Sequence, residues 1–260
     1  MRFNTLHEMV QHVESLPFNS KGRDATDWSD GSQEDAVKLA TWGWPEGARL
    51  ASEKATRIAD RLVAATGSSV YQAIEYDVVG AAYDAGAVAL GIPEAWGVMA
   101  PQPAKRAVRI VLNCTVSGGV PASAITARGL AVCALALALQ ARGYPVTVDV
   151  FQALATGSGE DITRVSDAVT GSQLDLDRVV YALAHPTMFR RLFRAVTNGF
   201  RNNSIGWTRW DGSPVSDNAQ PNDGEKVDLF LGGAHLHHVQ RWQDGGEAWV
   251  IQEYLRQTGA

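Results

Sequence analysis

The chain of 260 residues is 45% hydrophobic with a formal net charge of −5, long enough to bury one large core or two small ones without disulfide or metal staples. The acidic balance argues against a dedicated nucleic-acid binder, although a local basic patch can hide within it. The longest apolar run, Gly129 to Ala141, is about 13 residues against the roughly 18 to 20 that a membrane span needs, and Met1 to Leu16 lacks the continuous hydrophobic region of a secretory signal, so the expectation is a cytoplasmic protein.

Taken in chain order, Thr5 to Leu16 predicts a helix ended by Pro17, Ser32 caps a second over Gln33 to Trp42, and Pro45 opens a third at its first turn. The polar stretch Asn19 to Gly31 reads as a loop. Trp28, Trp42 and Trp44 lie near the helix ends, where tryptophans pack an extension onto a core or, alternatively, form an exposed recognition surface. Ser69 to Val79 and Val88 to Trp96 suggest a hairpin or irregular strand pair.

The clearest segment follows. Arg106 to Cys114 is too apolar for a one-sided strand, as expected of a central strand covered on both faces. Gly118-Gly119 breaks it, and Pro121 opens a helix running to Arg142 that is apolar almost all round from Gly129, hence buried. Gly143 stops the helix, and Val146, Val148 and Val150 then alternate with Thr147 and Asp149 before Phe151. Strand, helix and strand make a βαβ unit with parallel pairing and a right-handed crossover. Cys114 and Cys133 both lie in apolar context and read as free, buried groups rather than a disulfide.

After the turn Ala155 to Gly159, Ile162 to Val169 is expected to pair back as an antiparallel edge strand. Helices follow over Leu176 to Ala184 and Thr187 to Asn198, separated by His185-Pro186. Asn202 to Lys226 is polar and reads as a long surface loop. Val227 to Leu231 is a last strand and Ala248 to Arg256 a closing helix. The organisation expected is a helical N-terminal extension over residues 1–100 packing on an α/β domain over residues 101–260.

The order of buried strand, polar turn, long helix, strand ending in Phe and antiparallel edge strand resembles the opening of the von Willebrand A-type fold. That resemblance implies a three-layer, Rossmann-like α/β domain with a mostly parallel sheet and an antiparallel edge strand. In that family the first strand ends in Asp-x-Ser-x-Ser, whose oxygens help to hold a divalent cation. The matching positions are Asn113, Thr115 and Ser117, followed by Gly118 and Gly119. The spacing survives, but Asn113 offers a neutral group where the family has a carboxylate, so the implied site is a degenerate one holding Mg²⁺ weakly through Thr115 and Ser117. The resemblance also implies a protein partner, by family habit an AAA+ ATPase. The whole chain is further similar to an uncharacterised family encoded by tailed bacteriophages and prophages, through Trp42-Gly43-Trp44-Pro45-Glu46-Gly47, Gly91-Ile92-Pro93-Glu94-Ala95-Trp96 and Ala184-His185-Pro186 followed by Arg190-Arg191. A phage protein of this kind would act in the host cytoplasm.

Three places carry candidate chemistry. The turn Asn113 to Gly119 joins a strand end to a helix N-terminus, an arrangement that collects loop oxygens, backbone N–H groups and a positive helix end, and so suits an anion or a partner's carboxylate. On a strand, His235 and His237 would share a face and could ligate a metal with Asp228, although neither HExxH nor CxxC accompanies them. Arg190, Arg191 and Arg194 interleave with Phe189 and Phe193 as a single-strand nucleic-acid surface might, or form the solvated flank of an apolar helix stripe. No Gly-x-Ser-x-Gly elbow and no Gly-x-x-x-x-Gly-Lys loop is present, and no catalytic residue is nominated. The function expected is a non-catalytic interaction module docking a partner at the strand-end crevice. The alternatives are a metal-dependent enzyme at the histidines and a nucleic-acid-binding accessory protein.

Overall fold

The computed structural model describes residues 2–16, 29–66, 74–77, 82–99, 105–115, 119–156, 159–168, 173–196, 226–232, 235, 242 and 245–259. A short strand β1 (Arg2–Phe3) leads into α1 (Leu6–Ser15), where the Thr5 side chain accepts from Glu8 N–H at 3.2 Å. Helix α2 (Gln33–Trp42) opens on a capping box: Ser32 Oγ accepts from Asp35 N–H at 3.1 Å, and the Asp35 carboxylate accepts from Ser32 N–H at 2.9 Å. Pro45 starts α3 (Pro45–Thr66). Between α2 and α3 the backbone turns at Gly43 with φ +84°, and a Cβ there would lie 2.4 Å from Asp177 Cβ. Both conformation and space demand glycine.

A small antiparallel sheet of order β2-β4-β3 follows, made of β2 (Ile74–Asp77), β3 (Ala82–Tyr83) and β4 (Trp96–Met99), with α4 (Ala85–Ala89) between the last two strands. The strand pair expected over Ser69 to Val79 and Val88 to Trp96 is seen only in part: Ile74–Asp77 pairs with Trp96–Met99, whereas Val88 is helical and of the second stretch only Trp96 is in a strand. Asp84 Oδ1 accepts from Gly86 N–H at 2.8 Å and Ala87 N–H at 3.1 Å, and this cap starts a turn of helix where β-branched content suggested a strand.

The main sheet comprises β5 (Val108–Asn113), β6 (Val146–Thr156), β7 (Gly159–Ala168) and β8 (Leu229–Leu231) together with β1, in the order β1-β7-β6-β5-β8. Strand β5 is parallel to both β6 and β8, and β7 turns back antiparallel to β6. Strand β7 is not the edge, however, because β1 adds beyond it in parallel register through Arg2↔Arg164 and Phe3↔Val165. On the opposite edge, Gln257 of α7 (Glu247–Thr258) bonds both backbone groups of Phe230, accepting at 2.8 Å and donating at 2.9 Å. The side-chain amide stands in for a further strand and blunts the exposed edge.

Between β5 and β6 runs α5 (Ala122–Ala141), and after β7 comes α6 (Gln173–Ala184). With 20 residues, α5 has the length and apolar composition of a membrane span, yet most of it is buried inside the protein as a core helix. It packs on α3, α6 and β6. Side chains of α1, α2, α3, α5, α6 and α7 join Val108, Ile110, Leu112, Val146, Val148, Val150, Leu229 and Leu231 in one core cluster. The alternation of strand side chains puts Val111, Phe151 and Phe230 on the opposite face, in a second, smaller cluster to which no described helix contributes. Among the described residues the helices therefore cover the first face of the sheet. Within α5, a Cβ on Gly129 would lie 2.2 Å from Leu183 O and 2.3 Å from Ala184 Cα, so α5 and α6 touch backbone to backbone there.

The segment after His185-Pro186 departs from the ordinary helix expected. Met188–Phe193 is π-helical, and all six of its residues are buried. Arg190 donates to Val120 O, and Arg191 Nε donates to Gly31 O at 3.0 Å. Both arginines are almost fully buried, and Arg194 is half-buried. The solvated basic edge, and with it the nucleic-acid surface built on Arg190 and Arg191, is not formed, because Val120 before α5 and Gly31 before α2 receive the two guanidinium groups. The tryptophans divide: Trp44 packs edge-on against His185 at 4.9 Å, whereas Trp42 is 73% exposed and does not pack the extension onto the core. Trp28 lies outside the described residues. Both cysteines are free and buried.

His185 sits in a buried polar knot. Its Nδ1 lies 2.9 Å from Thr187 Oγ1 and accepts from Thr187 N–H at 3.3 Å, while the Tyr181 hydroxyl donates to Ala36 O at 2.9 Å. Burial pushes its pKa below the usual 6.5, with Asp30 and Asp35 opposing the shift only in part. The unfolded chain therefore takes up a proton that the folded one resists. Stability falls as pH drops below about 6.5, by up to about 1.4 kcal/mol per pH unit for this one group. Melting temperatures between pH 7.5 and 5.5 check this: the His185→Gln variant flattens the slope, and an unchanged slope assigns the acid sensitivity elsewhere.

Candidate functional site

The carboxyl ends of β5 and β8 lie together, because Leu112 and Leu231 pair in parallel register, while β6 runs beside β5 as far as Phe151 and continues to Thr156. From β5 the chain crosses through α5 to β6 on one side, while β8 lies on the other side of β5. Between β5 and β8 the strand order thus changes direction, and open α/β sheets bind ligands at such a switch point.

Asn113 ends β5, fully buried. Its Oδ1 accepts from Thr115 N–H at 2.9 Å, a local turn that consumes the carbonyl oxygen and leaves Nδ2 without a partner. Thr115 is 1% exposed. Gly119 is exposed at the entrance to α5. Ser117 and Gly118 lie outside the described residues. Helix α5 begins at Ala122 after Pro121, which supplies no side-chain cap, so among the described residues no side chain caps its positive end.

Sequence reasoning missed one residue that dominates this region. Arg128 is the largest side chain in the fully buried set and the only charged residue of α5. Its Nη1 donates to Gly232 O at 3.2 Å, immediately beyond β8, while Nε and Nη2 have no partner. Burial lowers its pKa to about 10, so it remains protonated at neutral pH. Cys114 is close enough to feel that charge, yet burial pushes its thiol up to about 12 and it supplies no counter-charge at neutral pH. A buried ion with no opposite charge costs several kcal/mol. The signal that could have found it is a lone arginine in an otherwise apolar helical run.

These groups do not fit Mg²⁺, which takes hard oxygen ligands. Among the described residues the strand end presents N–H donors and a positive charge: Asn113 has turned its oxygen away, and Arg128 would repel a cation. Thr115 offers a single hydroxyl. The degenerate cation site expected from the resemblance is thus altered beyond the loss of one carboxylate.

The second metal candidate is dispersed. Asp228 stands before β8, where its carboxylate accepts from Arg109 N–H at 3.0 Å and pairs with Arg106, and its own N–H donates to Arg109 O at 3.0 Å. It fastens the start of β8 to the start of β5. His235 follows the other end of β8, edge-on to Trp249 at 4.9 Å, with its carbonyl accepting from Trp242 Nε1 at 3.0 Å. Asp228 and His235 are thus separated along the chain by the whole of β8. His237 lies outside the described residues. No group of three or more His, Cys, Asp or Glu side chains comes together among the described residues.

The architecture is that of an α/β protein whose mixed sheet carries, among the described residues, its helices against one face. The chain belongs to the family described as a domain of unknown function, DUF7192, whose model matches residues 1–259. No curated protein and no solved structure matches it.

Proposed function

We propose that this chain is a non-catalytic protein-interaction module that docks a partner at the crevice between the carboxyl ends of β5 and β8. The observation that carries this reading is Arg128, a fully buried side chain that reaches Gly232 beyond β8 and keeps two hydrogen-bond donors, Nε and Nη2, without partners. Native proteins satisfy nearly all such groups. An incoming partner that brings acceptors would complete them.

The sheet order β7-β6-β5-β8, with β7 reversed, supports a Rossmann-like, von Willebrand A-like domain, since 3-2-1 is the first half of a doubly wound sheet and 4 the strand that follows across the switch point. With that resemblance goes the first partner to test, an AAA+ ATPase, and the likeness to phage-encoded proteins agrees with an encounter in the host cytoplasm. Arg109 and Asp149, the remaining buried charges of the central strands, pair with each other at 2.6 Å and hold the sheet rather than a ligand.

Site-specific photo-crosslinking tests the docking surface. Ser123 is exposed in the first turn of α5, at the crevice end, and Ala141 is exposed in its last turn, at the far end. A photoreactive residue at position 123 should yield one discrete adduct in host extract, and the same residue at 141 none. Adducts at 141 alone, or equally at both, contradict the reading.

A further inference from the structure

Arg128 specifies what the crevice holds. Side chains on a helix lean toward its N-terminus, so Arg128, in the second turn of α5, is carried toward the strand ends. Its Nη1 is committed to Gly232 O, at the β8 side of the switch point. The two nitrogens left open, Nε and Nη2, bear hydrogens that lie side by side along one edge of the planar guanidinium. That edge matches the two oxygens of a carboxylate in a paired hydrogen bond. The N-terminus of α5 lies toward the same end and adds positive potential.

We propose that Arg128 anchors an anion subsite in the β5/β8 crevice, and that its ligand is a carboxylate presented by the docked protein. This rests on the docking reading and names the partner's chemistry: an acidic side chain or a chain terminus. A single planar carboxylate fits better than a phosphate, because no second cation among the described residues faces Arg128 to balance a dianion. The inherited spacing of a cation loop has here become a site of opposite sign.

Acetate serves as the probe, followed by NMR through the Arg128 Nε–H and the amide of Gly232 in the full chain. The shifts should saturate with acetate, move little with Mg²⁺, and respond less to phosphate than to acetate. Arg128→Lys keeps the charge but loses the paired edge, and should weaken acetate at least tenfold as read at Gly232. Arg128→Met should melt no lower than the parent, since it removes an orphaned charge; a merely structural arginine would give the opposite. Saturation by Mg²⁺, acetate affinity unchanged in Arg128→Lys, or no saturation by acetate overturns the proposal. Crosslinking from position 123 without acetate saturation leaves the docking surface standing and removes the carboxylate subsite. Acetate saturation without crosslinking does the reverse.

Discussion

Replacing Gly129 by alanine will destabilise the protein by about 3 kcal/mol, the upper end of the usual cost of overpacking a core. In an isolated helix the same change stabilises, because alanine is the better helix former by about 1 kcal/mol. The sign is reversed by the neighbouring helix. A Cβ at this position would meet Leu183 O at 2.2 Å and Ala184 Cα at 2.3 Å, and both are backbone atoms that can yield only if α5 and α6 move apart. Urea denaturation measures the effect, with Gly143→Ala as the comparison. Gly143 turns at φ +80° but has nothing within 4 Å of a built Cβ, so its cost is the backbone strain alone, about 1 kcal/mol. A Gly129→Ala protein as stable as the parent would show that the helices do not approach so closely.

Asp149→Ala is the second large effect, an expected loss of about 3–5 kcal/mol. Arg109 on β5 and Asp149 on β6 face each other across the second side of the sheet, with Nε and Nη2 of the arginine 2.7 Å and 2.6 Å from one carboxylate oxygen. Both side chains are nearly buried, at 10% and 4% exposure, so removing the acid leaves a cation in a poorly solvated place. Converting both residues to apolar ones of similar size should cost far less than either single change, because a well-packed apolar pair commonly replaces a buried ion pair at little penalty. A double-mutant cycle in denaturant reads the coupling directly. Additive losses would mean that the two charges are solvated independently.

Much of this architecture was legible because local signals agreed with the tertiary ones. Ser32 with Asp35 wrote its own helix start, and Pro45 and Gly143 marked ends at the residues where α3 begins and α5 stops. The run Val108 to Asn113 declared a strand buried on both faces, and the alternation from Val146 gave the register of its neighbour. What escaped was set by partners distant in sequence. Arg2 and Phe3 carry no strand signal, yet they take the outer edge of the sheet beside Arg164 and Val165. Arg190 and Arg191 have the spacing of a solvated flank and are buried because Val120 and Gly31 arrive to receive them. Composition cannot report such arrivals.

The strand-end turn was legible as a place, and so was its fitness for an anion; the arginine buried near it was not. Asn113-x-Thr115 marked the turn, but the direction in which an asparagine amide points depends on the bond it finds, and here Thr115 N–H takes the oxygen. The arginine that changes the chemistry stands on α5, well along the chain from that turn, within a helix otherwise read as uniformly apolar.

A crystal structure of the protein soaked in acetate and Mg²⁺ together tests the central claim most directly. The account predicts a planar acetate with both oxygens on Arg128 Nε and Nη2, and no cation at Asn113 and Thr115. A hydrated cation at those two residues, with Arg128 turned away from the crevice, would contradict it.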